Sequence, residues 1–245
     1  MTTLPFKRMG ALALSTMLLT GVQSVHADHD HDHSHDQDHS HDHSHDHDHS
    51  HDHDHDHDHD HDHDHSHDSD IYSGHFDDDQ VADRPLSDWE GDWQSVYPYL
   101  EDGTLDEVFA NKAEHGDKTA EEYKQYYTTG YETDIERIVI EGNNVTFYEN
   151  GEDNTGEYQY DGYEILTYAA GNRGVRFIFE LEGDSDELPQ YIQFSDHDIY
   201  PTDAHHFHLY WGDDREALLE EVTHWPTYYP SDLNGDEIVE EMLAH

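Results

Sequence analysis

The chain has 245 residues, of which 60 are Asp or Glu, ten are Lys or Arg and none is Cys. A formal charge of −50 repels nucleic acid and anionic membrane surfaces and favours cations as partners. Without cysteine there is no disulfide and no thiolate ligand, so any metal site has to be built from imidazoles and carboxylates.

Residues 1–27 read as a secretory signal peptide. Lys7 and Arg8 precede an apolar run from Met9 to about Val22, and Val25-His26-Ala27 supplies a small-residue cleavage site. The run is too short to span a bilayer. Cleavage is expected after Ala27, giving a soluble product with no cysteine to carry a lipid. Residues 28–70 hold 19 His and 17 Asp in near-strict alternation and not one apolar side chain. Nothing there offsets the entropy of ordering, so a disordered tail is predicted. Short extended pieces of it would offer overlapping sets of two to four imidazoles, each weak because binding must order the chain. The tail therefore reads as a multivalent metal collector, the alternative being a merely solvated repeat.

Residues 71–245 form the folded part, long enough for one domain with a sizeable core. They carry 43 acidic and eight basic residues, which fits either a saline habitat or attraction of cations towards a site. An aromatic-rich stretch over 87–100 leads into the core. Two helices are expected next. One opens on a capping box at Thr104-Leu-Asp-Glu107 and ends before Gly116; the other opens on Thr119-Ala-Glu-Glu122 and ends near Gly130.

The period then changes to two. Strands are predicted over 135–141 and 145–149 around Gly-Asn-Asn, and over 156–160 and 163–168 around Asp161-Gly162, a strong hairpin signal. Strands over 175–181, 190–195 and 206–211 follow. Seven short antiparallel strands close most readily into a barrel, which removes their edges. Helices over 214–224 and 234–245 complete a mainly β fold, an antiparallel β-barrel with flanking helices.

The chemistry concentrates in residues 195–211, Ser-Asp-His-Asp-Ile-Tyr-Pro-Thr-Asp-Ala-His-His-Phe-His-Leu-Tyr-Trp. This reads as the end of one strand, a turn through Pro201 and a second strand. Alternation puts His206 and His208 on one face and His205, Phe207 and Leu209 on the other. Two imidazoles at i, i+2 are spaced roughly 6–7 Å at the backbone, within reach of one ion bound about 2.0–2.1 Å from each nitrogen. His197 can return across the turn as a third ligand. Three neutral imidazoles suit Zn(II), and less selectively Cu(II), Ni(II) or Cd(II). The barrel interior is where the face carrying His206 and His208 is expected to point. His75, His115 and His245 read as solvated, and His224 as a helix C-terminal residue meeting the dipole.

Several segments together resemble the ZinT family of periplasmic zinc- and cadmium-binding, lipocalin-like proteins. They are Leu86-Ser-Asp-Trp-Glu-Gly-Asp-Trp-Gln-Ser-Val-Tyr-Pro98, Tyr160-Asp-Gly-Tyr-Glu-Ile-Leu-Thr-Tyr168, Gln193-Phe-Ser-Asp-His197, His206-Phe-His208, Trp225-Pro-Thr-Tyr-Tyr-Pro230 and the C-terminal Glu237–His245 run. The resemblance implies a lipocalin-like barrel and a metal held by His197, His206 and His208, with the fourth position left to water or a borrowed ligand. It also implies a role in zinc homeostasis and contact with the periplasmic zinc-binding component of an ABC importer. The cysteine pair frequent in that family is missing here.

Two other readings compete with a metal carrier. A three-His site with an open fourth position also lowers the pKa of zinc-bound water to about 7, as a hydrolase requires; Asp196, Asp198 and Glu164 are available bases, but nothing marks one of them. A lipocalin-type carrier would instead line a cavity with the many aromatic residues, which serve equally well as core.

Overall fold

The computed structural model describes residues 70–244, so the expected signal peptide, nearly all of the His/Asp-rich tail, and His245 lie outside the described residues. Eight strands form one closed antiparallel barrel in sequence order. They are β1 Gly91–Ser95, β2 Ile135–Glu141, β3 Asn144–Glu149, β4 Glu152–Thr167, β5 Arg173–Leu181, β6 Tyr191–Ser195, β7 Phe207–Gly212 and β8 Thr227–Pro230. Strand β8 pairs with both β7 and β1, and that closes the ring.

Alternation fills the lumen. Ile138, Ile140, Val145, Phe147, Phe177, Phe179, Ile192, Phe194, Phe207 and Leu209 join Trp89 and Trp93 in one buried cluster. Trp89 stacks on Phe194 at 4.7 Å between centroids, and Phe194 meets Phe207 edge-on at 5.1 Å. The lumen aromatics are therefore packed core, and the lumen is not the cavity an apolar-ligand carrier would need.

Two differences from the expected strands have clear physical causes. Residues 156–160 and 163–168 belong to one continuous strand, because both halves of β4 pair in the same direction with β5. Asp161-Gly162 is a bulge in it: the register shifts between Tyr160 and Gly162, and Gly162 has φ 99°. One extra residue changes which parity faces inward. Tyr158 is buried before the bulge, and Tyr163 and Ile165 pack on the core after it. The tight hairpin lies instead at Asn150-Gly151, between β3 and β4, where both residues take positive φ (53° and 79°) as a two-residue type I′ turn requires. Strands β1 and β8 are the other addition. Both sit in aromatic segments bounded by Pro98, Pro226 and Pro230, which obscure the period-two pattern.

Three helices connect β1 to β2: α1 Tyr97–Glu101, α2 Asp106–His115 and α3 Ala120–Tyr131. A short α4, Arg215–Glu220, follows β7, and α5, Gly235–Ala244, follows β8. Helices α2, α3 and α5 pack with Val96 and Tyr229 in a second buried cluster outside the barrel wall. The capping box at Thr119 forms as expected: its hydroxyl accepts from the Glu122 amide and its amide donates to Glu122 Oε2 at 2.8 Å. The box expected at Thr104 does not. The Thr104 amide and hydroxyl both turn to Asp102 Oδ1, at 2.9 and 2.6 Å, and the helix starts one turn-residue later with Leu105 as N-cap. Helix α4 ends at Glu220, so His224 is not at its C-terminus; its Nε2 lies against the Glu132 carbonyl.

The link between β6 and β7 carries His197 near one end and His206 at the other, and it has no regular structure of its own. Arg84 holds it. This guanidinium is fully buried and sits 4.2 Å over the Trp89 ring. It donates to Asp88 Oδ2 (2.9 Å), to Asp196 Oδ1 (2.6 Å) and to the Thr202 carbonyl (2.9 Å). Asp88 Oδ2 also accepts from the Thr202 amide at 3.0 Å, and the Ala204 amide donates to the Asp88 carbonyl at 2.8 Å. Removing one partner of such a buried set leaves the rest charged and unpaired. Arg84→Met is therefore expected to lower unfolding stability by about 3–5 kcal/mol in denaturant titration; a loss below about 1 kcal/mol would show that the clamp is not what organises the link.

Candidate metal centre

His208 lies in β7 and His206 immediately before it. Phe207 and Leu209 occupy the lumen, so alternation sends the two imidazoles to the outer face of the wall. This corrects the expectation that they face the barrel interior: the inward positions of this strand are held by apolar side chains. The outer face is roofed by helices α2, α3 and α5. Between roof and wall lies a cavity of about 360 Å³, lined by the three histidines together with Phe109 and Lys112 of α2, Tyr127 of α3, Met242 of α5, Tyr72 and Trp225.

His197 comes from the far side of the Arg84 clamp. Its backbone takes φ 73°, the left-handed region that a non-glycine residue enters at a cost of roughly 1–2 kcal/mol. That conformation turns the chain at the end of β6 and aims the ring back towards β7. Ring centroids are then 5.6 Å apart for His197–His206, 5.8 Å for His197–His208 and 5.9 Å for His206–His208. One nitrogen from each ring lies within 4.8 Å of the other two. Three nitrogens about 2.0–2.1 Å from a tetrahedral ion are separated by about 3.3 Å, so small side-chain rotations bring the set to ligation distance. The three sequence candidates are thus brought together, and His205 is exposed and excluded, as its opposite parity requires.

Each imidazole has its own neighbour. Tyr72 stacks on His197 at 4.3 Å and 21°, and Tyr229 stacks on His206 at 5.0 Å and 8°. His208 Nδ1 lies 2.7 Å from Thr227 Oγ1. None of these neighbours was singled out from the sequence, and neither was Arg84. A signal existed for two of them: in Thr227-Tyr228-Tyr229 the central Tyr228 faces the core, so Thr227 and Tyr229 share the outer face of β8.

Electrostatics favour neutral imidazole. His208 keeps some surface towards the cavity but lies deep in the protein, and burial pushes its pKa well below the ordinary histidine value. Like charge on His197 and His206, and the Arg176 guanidinium, push the same way. A ligand already free of its proton is ready for a cation. Burial also pushes the neighbouring Asp196 carboxyl up to about 6, with the Arg84 ion pair and hydrogen bond pulling it down. At neutral pH it remains ionised beside Arg84. Among the described residues, no Asp or Glu lines the cavity. The donor set is therefore three nitrogens with room for one further ligand, a borderline-soft arrangement that suits Zn(II). His75 and His115 are exposed, and His115 Nδ1 sits against the Asn111 carbonyl of its own helix.

Residues 67–245 match the family described as ZinT (YodA), periplasmic, lipocalin-like, zinc-recruitment. Over 176 residues the chain is 69% identical to a probable metal-binding protein, YrpE, of Bacillus subtilis, covering 71% of this chain and 70% of that one. It is 59% identical over 181 residues to the zinc-binding protein AdcA of Streptococcus pyogenes, covering 71% of this chain but only 35% of AdcA. The chain thus spans about a third of the length of that relative. The crystal structure of the Zn(II)-bound ZinT-like domain of Streptococcus pneumoniae AdcA superposes with a TM-score of 0.69 at 51% identity, covering 71% of this chain and 97% of the domain. The match extends over the whole barrel, its helical roof and all three histidines, and the chain belongs to the ZinT family.

Proposed function

We propose that this protein is a carrier that captures Zn(II) outside the cytoplasm on His197, His206 and His208. The observation that carries the reading is the convergence of three ring nitrogens, drawn from two segments, in the lining of one cavity. The ion is cargo: it is bound by neutral imidazoles and keeps an open fourth position from which it can be passed on. The Zn(II)-bound relative domain supports zinc over other metals, and Cd(II) fits the same nitrogen donors. The description of the family and relatives as zinc-recruitment, metal-binding and zinc-binding proteins supports a carrier over a hydrolase.

The zinc-binding component of an ABC importer is the proposed recipient. In AdcA the matching segment is about one third of a longer zinc-binding protein, which supports a second zinc-handling protein as the partner of this chain. The His/Asp-rich stretch over 28–70 is the proposed gathering device. Its 19 imidazoles raise the local ion concentration beside one tighter site. The residue 1–27 stretch is the proposed export signal, placing the protein in the periplasm or its equivalent.

Calorimetric zinc titration of the mature chain, of residues 71–245 and of the chain with His206→Ala and His208→Ala separates these parts. One tight site is expected in the first two and is lost in the third, while the weaker sites follow the tail. Undiminished tight binding by the double variant would remove the barrel site from the account.

Proton release supplies a second check. Because burial holds the His208 pKa well below the ordinary histidine value, this ring has less proton to give up on binding than an exposed imidazole. Three imidazoles at the ordinary value of about 6.5 would release roughly 2.3 protons per zinc at pH 6, so clearly fewer than about 2.3 are expected, measured by titration in buffers of different ionisation enthalpy; about 2.3 or more would contradict it.

The backbone of His197 gives a third. Replacement by Ala or Gly removes the ligand equally, but glycine enters φ 73° freely. The metal-free Gly variant is expected to be the more stable of the two by up to about 1 kcal/mol in denaturant melts. A more stable Ala variant would mean that the left-handed turn is not under strain.

A further inference from the structure

We infer that Thr227 is a positioning residue that sets the tautomer of His208, so that His208 meets the ion through Nε2. The inference rests on the reading of the three histidines as ligands, but its structural half can be tested without metal.

Thr227 stands directly opposite His208 in the β7–β8 ladder, one of the two residue pairs that join these strands. Its side chain is buried, with 1% of the residue exposed. The hydroxyl has one proton to donate and two lone pairs to fill. It lies 2.9 Å from the Trp225 carbonyl oxygen, which can only accept, so the proton goes there. Were the hydroxyl proton turned to His208 instead, two lone-pair-bearing oxygens would face each other at 2.9 Å in a buried site. What remains at Thr227 Oγ1 is acceptor capacity. His208 Nδ1, at 2.7 Å, must therefore present N–H to it. With the proton on Nδ1, the bare lone pair is on Nε2, the other ring nitrogen. A backbone carbonyl thus dictates, through one hydroxyl, which nitrogen of His208 takes the ion. Metal-bound histidines commonly donate their second N–H to such a partner, and loss of the partner costs 10–100-fold in affinity.

The test uses the full chain. Long-range proton–nitrogen correlation spectra of the metal-free protein, with the His208 ring assigned by its disappearance in His208→Gln, should show a protonated Nδ1 and a bare Nε2. On adding zinc, the Nε2 signal should be the one that shifts. Thr227→Val keeps the shape and removes the hydroxyl; it should mix the tautomers and weaken the tight site 10–100-fold in chelator competition. Thr227→Ser should restore both the single tautomer and affinity close to the original. A proton on Nε2 in the unaltered protein overturns the inference, as does a Val variant that keeps tautomer and affinity. Should the Val variant fail to fold, the tautomer of the unaltered protein and of Thr227→Ser still decides. A protonated Nδ1 with no zinc-induced shift at His208 would overturn the metal reading rather than the hydrogen bond.

Discussion

Burying an arginine at the root of an irregular link is the constraint on which the rest of the site depends. Between β6 and β7 the chain has to leave the barrel, cover one end and return, without strand or helix hydrogen bonds to hold it. Arg84 replaces them with its own donors, directed at Asp88, Asp196 and the Thr202 carbonyl. A guanidinium is suited to this because its fork reaches several acceptors in fixed geometry, and stacking on Trp89 satisfies its face. The distance from His197 to the His206–His208 pair is thereby set by residues that are not ligands. A looser link would leave two imidazoles on a strand and a third free to wander, which costs affinity through the entropy of gathering it.

The position of the site follows from the division of labour on β7. Its inward side chains belong to the aromatic lumen core, and its outward ones are given to chemistry. A filled lumen makes the barrel rigid, and between the outer wall and its helical roof lies a chamber beside which burial favours the neutral form of His208. The chamber is much larger than a single ion, so a further ligand or an incoming side chain has room beside the metal. This combination, a stiff wall beneath and a roomy cavity above, is what separates a carrier from a closed structural zinc site, in which all four positions are filled by the protein.

Much of this was legible in the sequence, for reasons that can be traced to particular residues. The His206-Phe207-His208 alternation identifies two ligands through strand periodicity alone, and Thr119-Ala-Glu-Glu122 announces its helix through reciprocal capping. The barrel topology follows from a run of short strands with few breaks. What failed to show was long-range or composite. Asp161-Gly162 has the composition of a hairpin turn, and only the shared partner β5 makes it a bulge. Thr104 loses its capping role to Asp102, two residues away. Arg84 touches residues more than a hundred positions distant, and no local pattern marks it. The direction of the histidine face depends on what fills the lumen, and it is the whole barrel that decides it.

The central claim is that one ion sits outside the barrel wall, bound by His197, His206 and His208. Anomalous diffraction at the zinc edge from crystals of the zinc-loaded protein tests it directly. The account predicts a single strong peak in the chamber, about 2.0–2.1 Å from one nitrogen of each of the three rings. A zinc peak in the lumen, or one touching fewer than two of these rings, would contradict it.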